Sequence, residues 1–296
     1  MKLLHPDLDL VEADDGAGTF VSFDSDGFTV GANGFRNNFS DDTYVAWQWK
    51  ANGGTRTTNT ESGNNPAGGF QANTTAGFSI VDYTGTGSAG TMAHGLGAVP
   101  HMILFKNRGE ADDWAVYHQG NTSAPETDFL RLNTNGATTD NSNFMNDTAP
   151  TSSVFTVGTG DKVNADGETY IAYCFTEKQG YSKFGSYTGN GNADGPFIYT
   201  GFKPAWILFK ATAGTENWGI FDNRRNTQTG NPRDIYLMPS ANNADSSESD
   251  SVDFLSNGFK WRISSGFRNA DGVSFIYMAF AESPFVSSEG VPTTAR

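Results

Sequence analysis

One string in this chain has the form of a cofactor motif. Gly85-Thr-Gly87-Ser-Ala-Gly90 matches the dinucleotide fingerprint letter for letter and follows a run of strand-forming residues. That motif works when a helix N-terminus presents its amides to a pyrophosphate. The residues that follow, Thr91 to Pro100, make a poor helix opening. The string therefore reads as a β-turn, and no cofactor is expected. The four histidines, His5, His94, His101 and His118, have no partners at zinc-ligand spacing. His118 precedes acidic loops and has the chemistry of a base, but no Ser or Cys sits in a nucleophile context. Cys174 is the one cysteine, which excludes an internal disulfide. Its setting, Tyr170-Ile-Ala-Tyr-Cys-Phe175, reads as a packed strand thiol.

Paired carboxylates are the remaining acid–base candidates. They gather at Asp14-Asp15, Asp41-Asp42, Asp112-Asp113 and Asp245–Asp250, in turns and loops, and read as solvated charge. A glycosidase pair drawn from distant strands leaves no sequence signature. Asp161-Lys-Val-Asn-Ala-Asp166-Gly-Glu resembles a calcium loop, but its oxygens fall out of phase, so a hairpin is expected there. A calcium ion in one of the Asp/Asn loops stays open as an alternative. Trp114 and Trp218 occupy the same position of a repeated strand. They are the candidate ligand-binding residues, as a sugar-stacking platform, although recurrence in two copies favours a core position. Arg36 and Arg268, each in Gly-Phe-Arg-Asn, are expected to hold a turn through hydrogen bonds to carbonyls. No catalytic residue, metal ligand or cofactor-binding residue is assigned.

The elements that position these residues are duplicated. His94 to Tyr117 returns at Ile198 to Phe221, pairing Pro100 with Pro204, Lys106 with Lys210 and Trp114 with Trp218. A fixed period of this kind marks tandem structural units. Val21 to Lys50 resembles Val252 to Phe280, with Phe23 matching Phe254, Phe28 matching Phe259 and Tyr44 matching Phe275. The chain thus holds two whole copies and, before them, the latter half of another. The expected divisions are an N-terminal arm and partial β repeat (1–51), a Gly/Asn/Thr linker (52–76), repeat one (77–180), repeat two (181–285) and a polar tail (286–296). Residues 1–20 read as a loosely held arm, and the linker as extended or wrapped over a neighbour. The loops Asn133–Pro150 and Gln228–Asp250 fall at equivalent places and are too long to be simple turns.

Short apolar runs punctuated by Gly and Asn predict an all-β chain of two tandem homologous jelly-roll-like β-sandwich domains preceded by a partial copy. Met102-Ile-Leu-Phe is apolar on both faces, as a central strand covered on each side would be. Asp166-Gly167 and Asp271-Gly272 predict hairpin turns with positive φ. The formal charge of −14 argues against binding a phosphate backbone. No apolar run reaches membrane-spanning length, and the N-terminus breaks at His5-Pro6 without the form of a secretory signal.

Longer strings carry a family resemblance. Tyr44-Val-Ala-Trp-Gln-Trp-Lys-Ala-Asn-Gly-Gly, Gly201-Phe-Lys-Pro-Ala-Trp-Ile-Leu-Phe-Lys, Tyr277-Met-Ala-Phe-Ala-Glu and Val291-Pro-Thr-Thr-Ala-Arg resemble the C-terminal portion of bacteriophage tail-fibre and related virion proteins. The resemblance covers about residues 20–296. It implies a non-enzymatic virion protein, assembled in the host cytoplasm as a homo-oligomer, here expected to be a homotrimer. Its implied partners are other virion proteins and a host surface glycan. A capsid decoration or tail accessory protein, and a glycan-degrading tail spike, are the alternatives.

Overall fold

The computed structural model describes residues 2–14, 20–32, 37–51, 54–225 and 230–283. Arg36, the start of the second long loop and the 286–296 tail lie outside the described residues. The first elements are short antiparallel pairs. Strand β1 (Lys2–Leu3) pairs with β2 (Ala13–Asp14), and β3 (Phe20–Phe23) with β4 (Phe28–Val30). Next come β5 (Thr57–Asn59) and β6 (Gly68–Asn73).

Repeat one holds β7 (Phe78–Thr84), β8 (Gly90–Ala93), β9 (Met102–Asn107), β10 (Ala115–His118), β11 (Asp128–Arg131) and β12 (Thr139–Asp140). It continues with helical turn α1 (Ser142–Met145), β13 (Val154–Val157), helical turn α2 (Asp161–Asn164) and β14 (Thr169–Phe175). Repeat two holds β15 (Ser182–Thr188), β16 (Phe197–Tyr199), β17 (Pro204–Ala211), β18 (Gly219–Asp222) and β19 (Arg233–Leu237). It ends with β20 (Ser246–Leu255), β21 (Gly258–Trp261), helical turn α3 (Gly266–Asn269) and β22 (Ser274–Ala281).

The duplication extends to topology. Repeat one has the order β7-β14-β9-β10-β11 and repeat two the order β15-β22-β17-β18-β19, all antiparallel. In each repeat a two-stranded ribbon, β8–β13 or β16–β21, covers one face of that five-stranded sheet. The protein is an all-β fold of jelly-roll-like sandwiches. The repeats differ in how the ribbon is joined to the sheet. In repeat two the ten-residue β20 pairs with both β19 and β21, making one continuous curled sheet. In repeat one α1 occupies this stretch, and the ribbon stays separate.

Side-chain alternation along the central strands explains how the layers stack. Ile103 and Phe105 of β9 point to the repeat's own ribbon, whereas Met102 and Leu104 point away from it. In β17, Ile207 and Phe209 face the ribbon while Trp206 and Leu208 face away. The faces turned away meet each other. Sixteen buried residues drawn from both repeats and Ala51 form this middle core, against 17 and 11 in the outer two. The middle core is therefore as large as the others. An apolar run on both faces is satisfied on one side by the ribbon and on the other by the second repeat.

The connecting segments take definite places. The 52–76 linker, expected to be extended or wrapped over a neighbour, forms a hairpin over 57–73, with β5 pairing antiparallel to β6 and β6 to β7, extending the repeat-one sheet. Arg56 fastens it to Asp82 at 2.7 and 2.6 Å. The arm expected to be loosely held is docked: Glu12 pairs with Arg108 at 2.7 and 3.0 Å, and the Lys106 ammonium donates to the Asp9 carbonyl at 3.1 Å. Asp161–Asn164, expected as part of a hairpin, is the helical turn α2. Gly167 and Gly272 do take positive φ, 77° and 71°, but they join a helical turn to a strand.

Candidate functional site

The residues singled out for chemistry are mostly structural. Trp114 and Trp218 lie in the middle core, 5% and 0% exposed. The Trp114 indole donates to the His5 carbonyl at 2.8 Å and the Trp218 indole to the Arg131 carbonyl at 2.7 Å. Buried and satisfied, neither ring presents a face for a sugar to stack on, which withdraws them as a ligand platform. Cys174 is fully buried, and desolvation raises its thiol pKa, so it is no thiolate nucleophile.

The histidines share one device. His94 Nδ1 accepts the Leu96 amide at 3.2 Å while Nε2 meets the Thr151 carbonyl at 3.1 Å. His118 Nδ1 accepts the Gly120 amide at 3.0 Å while Nε2 meets the Tyr277 carbonyl at 3.1 Å. His101 Nδ1 accepts the Glu177 amide at 3.1 Å. An amide donating to Nδ1 leaves no room for a second proton on the ring. Burial, the largest cause, lowers the pKa of all three, that of His118 to about 4.

Lys106 and Lys210 are likewise buried, each donating to the carbonyl of the next residue, Asn107 at 2.7 Å and Ala211 at 2.6 Å. Arg268 bonds the Ser251 hydroxyl at 2.7 Å and the Glu248 carboxylate at 2.8 Å. It also lies over the rings of Phe221, Tyr236 and Phe267. It serves side chains and rings rather than the turn carbonyls expected of it.

The false cofactor motif also has a structural explanation. The Asn164 carboxamide accepts from the Thr86 amide at 2.9 Å and donates to the Ser88 and Gly158 carbonyls, each at 2.7 Å. In repeat two, Asn269 accepts from the Asn190 amide at 2.9 Å and donates to the Asn192 and Ile263 carbonyls at 2.8 and 2.9 Å. Each asparagine ends a helical turn and pins the Gly-rich turn that follows the repeat's first strand. A Cβ at Gly85 or Gly189 would strike the carbonyl of Ala165 or Ala270, which is why glycine stands there in both copies. Matching Asn164 to Asn269 was the sequence signal that could have revealed this.

The arrangement open to solvent lies on the ribbon of repeat two. Ladder bonds from Trp261 to Pro196 (3.3 Å) and from Thr200 to Asn257 (3.0 Å) set the register of β16 against β21. Alternation in an antiparallel pair then directs the N–H and C=O of Phe197 and Tyr199 away from β21. Their side chains are 46% and 63% exposed. Phe197 stands opposite Lys260, and Lys260 opposite Asp253, forming one row across three strands. A Cβ at Gly258 would strike the Ile198 carbonyl before it reached the Phe197 ring, so glycine there is set by the close approach of the two backbones.

Beside this row Ala193, Asp194, Pro232, Asp250, Asp253 and Arg262 line a cavity of about 530 Å³. Lys260 reaches Asp194 at 2.6 Å, and that hydrogen bond lowers the carboxyl pKa. Arg262 stands 3.7 Å from Asp253. Among the described residues no three His, Cys, Asp or Glu side chains are placed to hold a metal ion. What the face offers is two aromatic rings, outward backbone groups, carboxylates and a guanidinium.

Fold and site define an all-β protein of two tandem sandwich repeats with one open ribbon. The chain belongs to the family described as a domain of unknown function (DUF7483), which matches residues 1–284. That match takes in the half-copy and both whole repeats. No curated protein and no solved structure matches the chain.

Proposed function

We propose that this chain is a non-catalytic structural and adhesive component of a bacteriophage virion. It assembles through its N-terminal half-copy as a homo-oligomer, a trimer being expected, and contacts host glycan or neighbouring virion proteins. The virion reading rests on the resemblance of the strings from Tyr44, Gly201, Tyr277 and Val291 to tail-fibre proteins. The assembly reading rests on one observation. Residues 44–50 repeat the sequence of β14 and β22, strands that are hydrogen-bonded on both edges. Here the segment shows alternating half-buried and exposed side chains, yet makes no backbone–backbone hydrogen bond to a described residue. Trp47 and Trp49 pack against the middle core and Val45 is half-buried in the same alternation, while Ala46, Gln48 and Lys50 are exposed.

The β3–β4 ribbon forms a two-stranded sheet of its own, joined to no other strand among the described residues. Of the ten exposed large apolar side chains among the described residues, seven lie between Leu8 and Tyr44: Leu8, Leu10, Val11, Val21, Phe23, Phe39 and Tyr44. Apolar surface and unpaired strand concentrated in one segment mark a contact region. Two measurements test the proposal. The native mass of the full chain should be a multiple of the monomer, and Phe23→Asp with Phe39→Asp should return it to monomer without loss of sheet. An antibody to the chain should decorate purified particles. A monomeric wild type would sink the assembly reading, and undecorated particles the virion reading.

A further inference from the structure

We infer that the outer edge of β16, with the cavity beside it, is a carbohydrate site for uncharged glycans carrying N-acetylated hexose units. Strand β8 is the repeat-one counterpart of β16; by their registers against β13 and β21, two residues slipped from the sequence period, Thr91 stands at the place of Phe197 and Ala93 at that of Tyr199. The edge of β8 is covered by the chain's own linker. Asn65 accepts from the Thr91 amide at 2.8 Å and from its hydroxyl at 3.1 Å, and Asn59 donates to the Ala93 carbonyl at 3.4 Å. Carboxamides thus satisfy one outward N–H and one outward C=O of that strand.

In repeat two the equivalent edge has no such cover. Among the described residues no side chain bonds the Phe197 amide or the Tyr199 carbonyl. The residue types change together with the exposure: a threonine and an alanine give way to phenylalanine and tyrosine. Two aromatic rings in solvent add nothing to the core, so core packing does not account for them.

Ligand chemistry follows from these groups. Exposed aromatic faces match the C–H face of a hexose ring. The outward N–H and C=O match an acetamido group, the chemical equivalent of the asparagine carboxamides on β8. Asp194, Asp250, Asp253 and Arg262 around the cavity are acceptors and donors for sugar hydroxyls. Three carboxylates against the Arg262 guanidinium and the Lys260 ammonium paired to Asp194 leave a net negative wall, which disfavours uronic or sialic acids by like-charge repulsion. Carboxylates alone would say nothing about a ligand; what points to a sugar is that Asp253 ends a row that begins with the exposed Phe197 ring on an uncovered strand edge. Rings, backbone and cavity together accept a short chain of sugar units rather than a single small ion.

This inference deepens the attachment reading and relies on it only for the source of the glycan. The full chain is titrated with tri-N-acetylchitotriose, cellotriose and an oligogalacturonate, read by saturation-transfer NMR and calorimetry. The N-acetylated sugar is expected to bind best and the acidic one least. The double variant Phe197→Ala, Tyr199→Ala should weaken binding at least about tenfold, equivalent to about 1.4 kcal/mol. Arg262→Gln should weaken it several-fold, and serves alone if the double variant fails to fold. Tyr44→Ala, an exposed ring in the half-copy, should leave binding unchanged.

The inference is overturned if wild type binds none of the sugars, if the double variant binds as wild type does, or if the acidic sugar is preferred. Saturation by a peptide copying residues 57–65, with no sugar bound, would overturn it in favour of a strand-pairing site. A monomeric protein that binds sugar removes only the assembly reading, and an oligomer that binds none removes only this one.

Discussion

His118 shows what a titratable group does in the middle layer of this protein. It is fully buried, with Nδ1 taken by the Gly120 amide and Nε2 by a carbonyl of the other repeat. Its folded pKa of about 4 lies below the unfolded value of about 6.5. The unfolded chain therefore binds the proton first as pH falls. Stability is full above about pH 6.5 and is lost progressively toward pH 4, by on the order of 3 kcal/mol for this group. His94 and His101 shift in the same direction and steepen the same window. Urea unfolding at pH 7 and at pH 4.5 should show the loss. His118→Gln should be less stable at pH 7 and show a flatter acid limb, and an unchanged limb would remove His118 as its source.

Lys210 shifts the opposite limb. Burial lowers its pKa to about 8 from about 10.5 unfolded, so the folded state binds fewer protons between those values and stability rises with pH there. Lys210→Met should abolish that rise between pH 8 and pH 10, measured as the difference in unfolding free energy between variant and wild type. Equal slopes for the two proteins would refute it.

Among the elements, the helical turns α2 and α3 contribute through their last residue. Asn164 and Asn269 are fully buried, and each fastens a glycine turn from 75 to 80 residues earlier in the chain. Removing either carboxamide strands backbone amides and carbonyls away from water. Asn164→Ala and Asn269→Ala should each cost on the order of 3 kcal/mol, and aspartate should do no better because the donor half of the amide is lost. A cost below about 1 kcal/mol in chemical denaturation would mean the turns hold without them. The N-terminal arm is a cover of another kind, lying over Trp114 and Lys106. Deleting residues 2–14 should make Trp114 accessible, seen as greater quenching of fluorescence by acrylamide in comparison with the full chain.

On the scale of the molecule, the two repeats share their middle layer, so neither can unfold alone without exposing an apolar face as large as a core. Thermal unfolding should show one transition. Leu208→Ala and Ile276→Ala, both in that layer, should lower its midpoint by the equivalent of about 2–5 kcal/mol without splitting it. Two separate transitions in calorimetry would mean that the repeats are independent domains. Assembly is set by a different part of the chain, the half-copy, whose described residues carry acidic side chains around the exposed rings of Phe23 and Phe39. Added salt screens like charges brought together, so the oligomer should strengthen as salt rises.

Much of this was legible in the residues themselves. The period between Trp114 and Trp218, the strand runs, the doubly apolar Met102–Phe105 and the positive-φ glycines depend on local pattern, and pattern determines strand and turn wherever neighbouring residues settle the backbone. The core position of Trp114 and Trp218 was the favoured reading for the same reason, since two copies must fill equivalent space. What local pattern does not specify is which layer covers which face. Only the tertiary structure decided that the two sheets pack together and seal both indoles between them. It also decided that the linker closes the edge of β8 while no described segment closes that of β16. Phe197 and Tyr199 look like ordinary strand residues in the sequence, because exposure depends on which segment lies alongside: the linker residues Asn59 and Asn65 bond to β8, and no described segment does the same at β16.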